Sequence, residues 1–246
     1  MEYFNKNSFL ESLAIYKFFK HGRLPDGKKV RVRRARVLLD LGCGSAVHFP
    51  YLSPFFYLVG VDLSEKMIEK ALSLGRKSRR TSFVVADFRE IRFSRKLDGA
   101  YSVFATLAHL VDASDFDMFL ENLKRNLRRG AGFVFDLWNA LPFMLSPQSS
   151  RKFSVKTGSS LIERSVKYKV LPGSLLKVEE RIMVKKNSWN LTRDYSYALR
   201  FFLRKSVEET LHKHGFEVFS VYSDYDGTPF DDSSQKMVFF TAFRGK

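Results

Sequence analysis

The amino-acid sequence predicts an α/β protein with a doubly wound, mostly parallel sheet of seven strands, the last antiparallel, and an antiparallel β meander inserted after the fifth strand. Two observations predict this fold. Short apolar segments alternate with helical patterns through the first 140 residues, at 37–40, 57–62, 82–87, 97–104 and 131–137, as in βαβ units. Near the end, a helical segment at 204–215 precedes apolar segments at 216–222 and 236–243, which predict a final pair of strands.

The segments between the strands support the helices of this fold. In residues 1–20, Phe9, Leu10, Leu13 and Tyr16 recur at spacings of three to four, which predicts an amphipathic helix. Shorter helices are predicted at 45–55, from Ser64 onwards, and at 112–129 before Gly130. We expect residues 1–30 to form a helical cap over a ligand site.

The periodicity changes after the fifth predicted strand. Between about residues 150 and 202, apolar and polar residues alternate with a period of two, which predicts three or four antiparallel strands. The expected organisation is a cap at 1–30, a sheet domain formed by 31–148 and 200–246, and an insert at 149–199. An insert at this edge of the sheet is expected to act as a lid or substrate wall.

Composition limits the class of protein. A chain of 246 residues with 45% hydrophobic residues and 25 phenylalanines favours one well-packed domain with an elaboration. No apolar run approaches the roughly 18 residues of a membrane span, and no signal-peptide pattern is present, so we expect a cytoplasmic protein. Cys43 is the one cysteine, which excludes an internal disulfide and a cysteine-cluster metal site, and no metal is expected.

A glycine turn follows the first predicted strand. Asp40 ends this strand, and Gly42 and Gly44 come directly after it. Glycine allows positive φ and lets a ligand lie against the main chain, at the strand edge where open α/β sheets bind ligands. A dinucleotide-binding glycine motif would need glycine or alanine in place of Val47, and no phosphate-binding Lys-Ser/Thr pair follows. The turn therefore predicts a small-molecule site without a pyrophosphate.

Two further strands also end in acids. Asp62 ends the second and Asp87 ends the third, so three carboxylates are expected at one sheet edge. A carboxylate at the end of the second strand accepts hydrogen bonds from the hydroxyls of a ribose. This arrangement favours a nucleoside ligand.

The glycine turn resembles the first motif of class I S-adenosylmethionine-dependent methyltransferases, with Asp40, Gly42 and Gly44 in matching places. One departure is Ala46, where the family usually has a third glycine. The resemblance continues through the segments 62–68 and 86–88. The tail, with Gly215-Phe216 and the following acidic loop, is similar to a small-molecule branch of the family, so the likeness covers about residues 35–140 and 198–244.

The resemblance implies S-adenosylmethionine as cofactor and S-adenosylhomocysteine as product. It implies that Asp62 binds the ribose, that Asp87 binds the adenine amino group, and that Phe88 flanks the ring. The full set of expected cofactor-binding residues is Asp40, Gly42, Gly44, Asp62, Leu63, Met67, Asp87, Phe88 and Phe104.

Candidates for the chemistry lie near the ends of the fourth and fifth strands. His109 follows the fourth strand and is the candidate base or substrate ligand, with a helix-entry hydrogen-bonding role as the alternative. Aromatic faces stabilise a sulfonium charge. Phe104 is one candidate for this role, and Tyr16 and Trp138 are the candidate substrate-binding aromatics; each could instead be a core residue.

The formal net charge of +16 raises nucleic acid as a partner. The basic clusters at 31–36, 76–80, 92–96 and 124–129 each precede a predicted strand, which places them at the amino edge, opposite the ligand crevice. We therefore expect methyl transfer to a nitrogen or oxygen of a small molecule. The alternatives are an RNA methyltransferase that uses the basic surface and a non-catalytic cofactor-binding partner protein. The sequence identifies neither the acceptor nor the oligomeric state.

Overall fold

The structure, a computed structural model, describes residues 2–145, 148–186 and 189–245. The helices are α1 (Glu2–His21), α2 (Phe49–Leu52), α3 (Glu65–Ser73), α4 (Asp115–Asn126), α5 (Ala140–Leu145) and α6 (Arg204–Lys213), with a 3₁₀ helix at Thr106–His109. The strands are β1 (Val37–Leu41), β2 (Tyr57–Asp62), β3 (Thr81–Val85), β4 (Leu97–Ser102), β5 (Leu127–Trp138), β6 (Gln148–Thr157), β7 (Ser160–Leu171), β8 (Leu175–Lys186), β9 (Trp189–Arg200), β10 (Phe216–Tyr222) and β11 (Lys236–Phe243).

Seven strands form the main sheet in the order β10-β11-β5-β4-β1-β2-β3. The pairs β1/β2, β1/β4, β2/β3 and β4/β5 are parallel, and β11 is antiparallel to both β5 and β10. The predicted fold class is confirmed. Because β1 lies between β4 and β2, and Asp40 lies beside Gly60 of β2 and Tyr101 of β4, the carboxyl ends of these strands meet at one crevice.

The inserted segment forms a separate four-stranded antiparallel sheet in the order β6-β7-β8-β9. The end of this sheet nearest the main sheet packs against it through an apolar cluster, which includes Val166, Leu176, Val178 and Leu199. Trp138, at the end of β5, contacts the same cluster. The insert is therefore attached beside the carboxyl edge of the main sheet.

Helix α1 lies flat on one face of the main sheet. Phe18 and Phe19 are fully buried there, directly over two glycines. A Cβ at Gly99 would lie 2.3 Å from Cε1 of Phe19, and one at Gly132 would lie 2.5 Å from Cε1 of Phe18. These close approaches require glycine, so α1 belongs to the core of the sheet domain as well as extending towards the crevice.

Several predicted element boundaries are wrong. The first strand extends one residue beyond Asp40, and the third strand ends at Val85, two residues before Asp87. The helix after the glycine turn covers only Phe49–Leu52, because Ala46 has a positive φ of 55° and interrupts helical geometry before it. The end of the predicted helix at 112–129 belongs instead to β5, which begins at Leu127 with extended backbone. Leu127 is fully buried and pairs with Leu97, so burial in the sheet prevails over the helical pattern.

Within the described ranges, no helix is long and apolar enough to cross a membrane.

Candidate active site

The glycine turn is held against β2 and leaves one side open. The N–H groups of Gly42 and Cys43 both donate to the carbonyl oxygen of Val61, at 2.8 and 3.0 Å. Gly42 and Gly44 have φ of 71° and 52°, a region in which glycine is favoured. A Cβ at Gly42 would lie 2.2 Å from Cγ2 of Thr106, whereas one at Gly44 would meet nothing within 4 Å. The main chain at Gly44 is therefore accessible to a ligand.

Asp62 connects this turn to the next loop. Its Oδ2 accepts a hydrogen bond from the Gly44 N–H at 2.7 Å, and its Oδ1 accepts one from the Ser64 N–H at 2.9 Å. Ser64 is in turn the N-cap of α3 and accepts from the N–H of Met67 at 3.4 Å. Each carboxylate oxygen keeps a free acceptor site, so Asp62 could accept hydrogen bonds from two hydroxyls without losing its backbone contacts.

A cavity of about 560 Å³ lies in front of these residues, within the range of small-molecule sites. It is lined by Gly42, Asp62, Leu63, Ser64, Asp87, Phe88, Arg89, Thr106, His109 and Leu110. The cavity thus brings together five of the predicted cofactor residues and the candidate base. Of the other predicted cofactor residues, Met67 is exposed in the first turn of α3.

Asp87 has a partner that the sequence analysis missed. The Arg89 side chain donates to both Asp87 oxygens, with Nη2 to Oδ2 at 2.7 Å, and also donates to Asp115 at 3.0 Å. Hydrogen bonds from Arg89 hold the pKa of the Asp87 carboxyl below its usual range. Asp87 is therefore an ionised acceptor in a fixed orientation. The spacing of Asp and Arg two residues apart is too common to signal this pair.

Asp40 is the most unusual residue of the site. Its side chain is 1% exposed, and neither carboxylate oxygen has a hydrogen-bond partner among the described residues. Burial raises the pKa of Asp40 to about 7, although His48 and Tyr101 act in the opposite direction. The hydroxyl of Tyr101, buried beside it, also lacks a geometrically acceptable partner in the described structure.

Buried polar groups without partners are rare in folded proteins. The Asp40 carboxylate therefore fits a ligand that brings a cation or a hydrogen-bond donor. S-adenosylmethionine carries an ammonium group, and the open glycine turn and the nucleoside-sized cavity lie next to Asp40. The residues present thus fit the cofactor that the sequence resemblance implies.

A second acid lies under the crevice on α1. Glu11 and His48 are both buried, at 5% and 2% exposure, and His48 Nε2 lies 2.8 Å from Glu11 Oε2. The His48 ring lies 5.5 Å from that of Phe104, centroid to centroid. The contact between Glu11 and His48 connects α1 to the segment after the glycine turn. No sequence pattern indicates it, because Glu11 resembles any polar helix residue.

Asp136 of β5 holds the loop after β4. It accepts hydrogen bonds from the N–H groups of Phe104 and Ala105 and from the hydroxyl of Tyr225, the last at 3.1 Å. Phe104 and Ala105 have positive φ of 61° and 52°, which costs a non-glycine residue about 1–2 kcal/mol. Burial raises the pKa of Asp136 to about 6. The sequence signal was present, since Asp136 is the acid near the end of the fifth strand of the sheet.

His109 ends the 3₁₀ helix and opens onto the cavity. Partial burial lowers the pKa of its imidazole, with Asp62 acting in the opposite direction. A neutral imidazole is able to accept a proton. The ring centroid of Tyr197, from β9 of the insert, lies 6.2 Å away, so the insert contributes directly to this side of the crevice.

The two predicted substrate-binding aromatics lie in different places. Trp138 stacks on Phe143, with 5.3 Å between ring centroids, and contacts Tyr168 of the insert. Tyr16 lies farther along α1, where its ring centroid is 4.4 Å from that of Phe55 and its hydroxyl is 3.2 Å from His21 Nε2. Tyr16 is not brought to the cavity, because its part of α1 covers the sheet towards the start of the strands.

Comparisons with known proteins agree with this geometry. A family model described as a methyltransferase domain matches residues 38–130. A curated dTDP-3-amino-3,6-dideoxy-alpha-D-glucopyranose N,N-dimethyltransferase from Streptomyces fradiae is 23% identical over 187 residues, which are 75% of this chain and 71% of the relative.

Solved structures show the same fold. An S-adenosylmethionine-dependent methyltransferase from Clostridium acetobutylicum has a TM-score of 0.79 at 16% identity, covering 97% of this chain and 92% of that one. CalS10, an amino pentose methyltransferase from Micromonospora echinaspora solved with S-adenosylmethionine bound, has a TM-score of 0.74 at 17% identity, covering 98% and 94%. Residues 38–130 therefore match a methyltransferase domain, and the chain has the fold of S-adenosylmethionine-dependent methyltransferases.

Proposed function

We propose that this protein transfers a methyl group from S-adenosylmethionine to the amino group of a small, sugar-containing molecule. The observation that carries the cofactor part is Asp40, a buried carboxylate without a partner beside an open glycine turn. The acceptor part is supported by the similar proteins, which are named as methyltransferases of an amino sugar nucleotide and of an amino pentose.

Three acids, one aromatic residue and the glycine turn together hold the cofactor. We assign the ribose to Asp62 and the adenine to Asp87 and Phe88, which line the same cavity. Asp40 and the glycine turn take the end that carries the ammonium group. The cofactor supplies an electrophilic methyl group on a sulfonium; the protein aligns the two reactants and excludes water.

The acceptor site is assigned to the region where the insert meets the 3₁₀ helix. His109 and Tyr197 face each other there, and Trp138, Phe143 and Tyr168 form an adjoining aromatic cluster. Aromatic walls with a few polar groups are typical of small-molecule sites. His109 is the candidate group that accepts the proton lost by the nucleophile.

The charges below the crevice support an amine acceptor over a hydroxyl. Glu11, Asp40 and Asp136 are all buried, and His48 is the buried basic side chain among them. The charge of Glu11 helps to raise the pKa of Asp136, so each carboxylate adds to the negative potential at the other. Such a negative field attracts an amino sugar as its ammonium form, which a neutral hydroxyl sugar lacks. The ammonium would lose its proton to His109 before the free amine attacks the methyl group.

The first experiment measures binding and turnover separately. Calorimetric titration with S-adenosylmethionine and S-adenosylhomocysteine tests the cofactor site, and Asp62→Ala should weaken binding more than tenfold, since one carboxylate serves two hydroxyls. Glu65→Ala, which removes an exposed acid three residues later, is the matched control and should change nothing. Equal affinity of the two variants would contradict the assignment of Asp62.

Turnover is then tested on dTDP-3-amino-3,6-dideoxyglucose and on its 3-hydroxy counterpart, with methylation followed by mass spectrometry. We expect methylation of the amine alone. Methylation of the hydroxyl compound would refute the preference for nitrogen. Tight cofactor binding with no methylation of any amino sugar would favour a non-catalytic, cofactor-binding protein.

His109→Asn tests the proton acceptor. We expect kcat to fall at saturating cofactor while the affinity for S-adenosylhomocysteine stays the same. An unchanged kcat and pH profile would show that His109 only lines the crevice.

A further inference from the structure

A concave basic surface lies on the opposite side of the main sheet from the candidate active site. It surrounds the starts of the parallel strands β1 and β4, at Val37 and Leu97, and forms a cavity of about 930 Å³. Seven of the eleven residues that line this cavity are Lys or Arg, and one, Asp98, is acidic. The surface therefore has a large excess of positive charge.

The single acid is already engaged. Asp98 Oδ1 lies 3.0 Å from Nε of Arg33 and 3.4 Å from Nε of Arg128. Its Oδ2 accepts hydrogen bonds from the backbone N–H groups of Arg36 and Val37. One carboxylate is thus shared between two guanidinium groups and two amides, and it has no capacity left to neutralise the others.

The remaining cations of this cavity are exposed and unpaired. Lys20, Arg34, Arg36, Arg95 and Lys96 form no side-chain ion pair or hydrogen bond with any described residue. They come from the end of α1, the segment before β1 and the loop before β4. Clustered like charges repel one another, so the fold holds them together without an internal compensating group.

A second cavity continues the same surface. It has a volume of about 640 Å³, shares Arg33 with the first cavity, and adds Arg31 and Arg129. Both of these side chains are exposed, and neither forms an ion pair within the described ranges. We call the two adjoining cavities the basic groove.

We propose that the basic groove binds the phosphate backbone of a nucleic acid, at a site separate from the methyl-transfer crevice. Lys and Arg side chains that contact phosphates supply most of the sequence-independent affinity of nucleic-acid-binding proteins. Two cavities in succession fit a chain of phosphates better than a single phosphate group.

The shape of the groove favours a nucleic acid over a membrane surface. The groove is concave, and its apolar lining residues Val32, Ala35, Val37 and Leu97 are buried or half-buried. Peripheral membrane binding combines basic residues with apolar side chains that insert into the lipid. The basic groove presents the charges without such side chains.

The test measures the affinity of the full chain for a short, labelled single-stranded RNA by fluorescence anisotropy over a range of salt concentrations. The groove variant is Arg34→Glu/Arg95→Glu/Lys96→Glu. The matched control is Lys152→Glu/Lys156→Glu/Arg193→Glu, which reverses three exposed cations of the insert and gives the same net charge. A neutral variant, Arg34→Gln/Arg95→Gln/Lys96→Gln, replaces the groove variant if that variant does not fold.

We expect the groove variant to lose at least about tenfold in affinity and the control to lose little. Loss of three phosphate contacts should also reduce the slope of log K against log salt by about 2, at roughly 0.7 per contact for single strands. Equal losses in both variants would show that only net charge matters and would overturn the proposal. Binding to phosphatidylserine vesicles without binding to RNA would also overturn it.

Two readouts separate this proposal from the proposed methyl transfer. Saturating S-adenosylhomocysteine should leave the RNA affinity unchanged, since the groove and the crevice lie at opposite edges of the sheet. The groove variant should keep its affinity for S-adenosylhomocysteine. Displacement of RNA by S-adenosylhomocysteine would refute a separate site.

Discussion

The protonation of Asp40 should control cofactor binding near neutral pH. Asp40 is buried without a hydrogen-bond partner among the described residues, and burial raises its pKa to about 7. Only the ionised carboxylate attracts the ammonium group of the cofactor. The α-amino group of a ligand stays protonated below about pH 7.7, so lowering the pH from 7.0 to 5.5 changes Asp40 and leaves the ligand charge almost constant.

The size of the effect follows from the fraction of Asp40 that is ionised. With a pKa of about 7, about half of the carboxyl is ionised at pH 7.0 and about 3% at pH 5.5. If only the ionised form binds, the affinity for S-adenosylhomocysteine falls about 15-fold, which corresponds to about 1.6 kcal/mol. Binding at pH 6 should release nearly one proton, because ligand binding lowers the pKa of Asp40.

Calorimetry in buffers with different ionisation enthalpies measures both quantities. Asp136, whose pKa burial raises to about 6, titrates in the same range, so the Asp40→Asn variant isolates the contribution of Asp40. The variant should bind more weakly than the wild type at pH 7.0 and release fewer protons. The same pH dependence and proton release in wild type and variant would refute the reasoning.

The thermal stability of the unliganded protein is an independent check. The contribution of Asp40 to stability should fall as the pH rises, whereas its contribution to cofactor affinity should increase. A carboxyl whose folded-state pKa is raised above its unfolded value stabilises the fold only while protonated, and this stability is lost as the pH rises from about 4 towards 7. Above pH 7 the wild type bears the full cost of the buried Asp40 charge. Asp40→Asn should therefore unfold at a higher temperature than the wild type at pH 8, by about 5 °C for a net gain of about 2 kcal/mol.

Two further predictions concern the turn and the adenine end. Gly42→Ala would place a methyl group 2.2 Å from Thr106 Cγ2 and should lower stability by about 3 kcal/mol, from strain at positive φ and overpacking. Gly44→Ala meets no atom within 4 Å, but Gly44 also has a positive φ of 52°, so this variant should lose only about 1–2 kcal/mol of stability yet bind S-adenosylhomocysteine weakly. Thermal unfolding and calorimetry distinguish the two, and equal effects of the two alanines on both measurements would contradict the assigned roles. Arg89→Ala should allow the pKa of Asp87 to rise towards its ordinary value and reduce cofactor affinity several-fold, measurable by calorimetry; an unchanged affinity would show that Asp87 needs no fixed orientation.

The parts of the fold that the sequence predicted are those fixed by local pattern. The strands β1 and β2 combine apolar runs with an acid at or next to the last position, Asp40 and Asp62, and their place in the sheet follows from chain order. The failures lie where tertiary contacts prevail over local preference. Leu127 continued a helical pattern, but its burial beside Leu97 in the sheet made it the first residue of β5.

The cofactor crevice was more predictable than its supports. Gly42, Asp62 and Asp87 lie at strand ends or within two residues of them, where the fold itself brings them together. Glu11 and Arg89 do not lie at strand ends. The role of Glu11 depends on which face of α1 meets the crevice, and the role of Arg89 depends on its side chain folding back onto Asp87. Sequence pattern carries no information on either contact.

The two ends of the sheet have opposite electrostatic character, and this difference separates the two proposed activities. The crevice end holds buried acids, Asp40 and Asp136 among them, and the loop after β10 adds Asp224 and Asp226. The amino end holds the unpaired cations of the basic groove. A polyanion is therefore repelled from the reacting methyl group and attracted to the far edge. An enzyme that methylates the nucleic acid it binds would need its phosphate-binding cations beside the crevice. The charge distribution therefore favours a small amine as acceptor and a nucleic acid as a separate ligand.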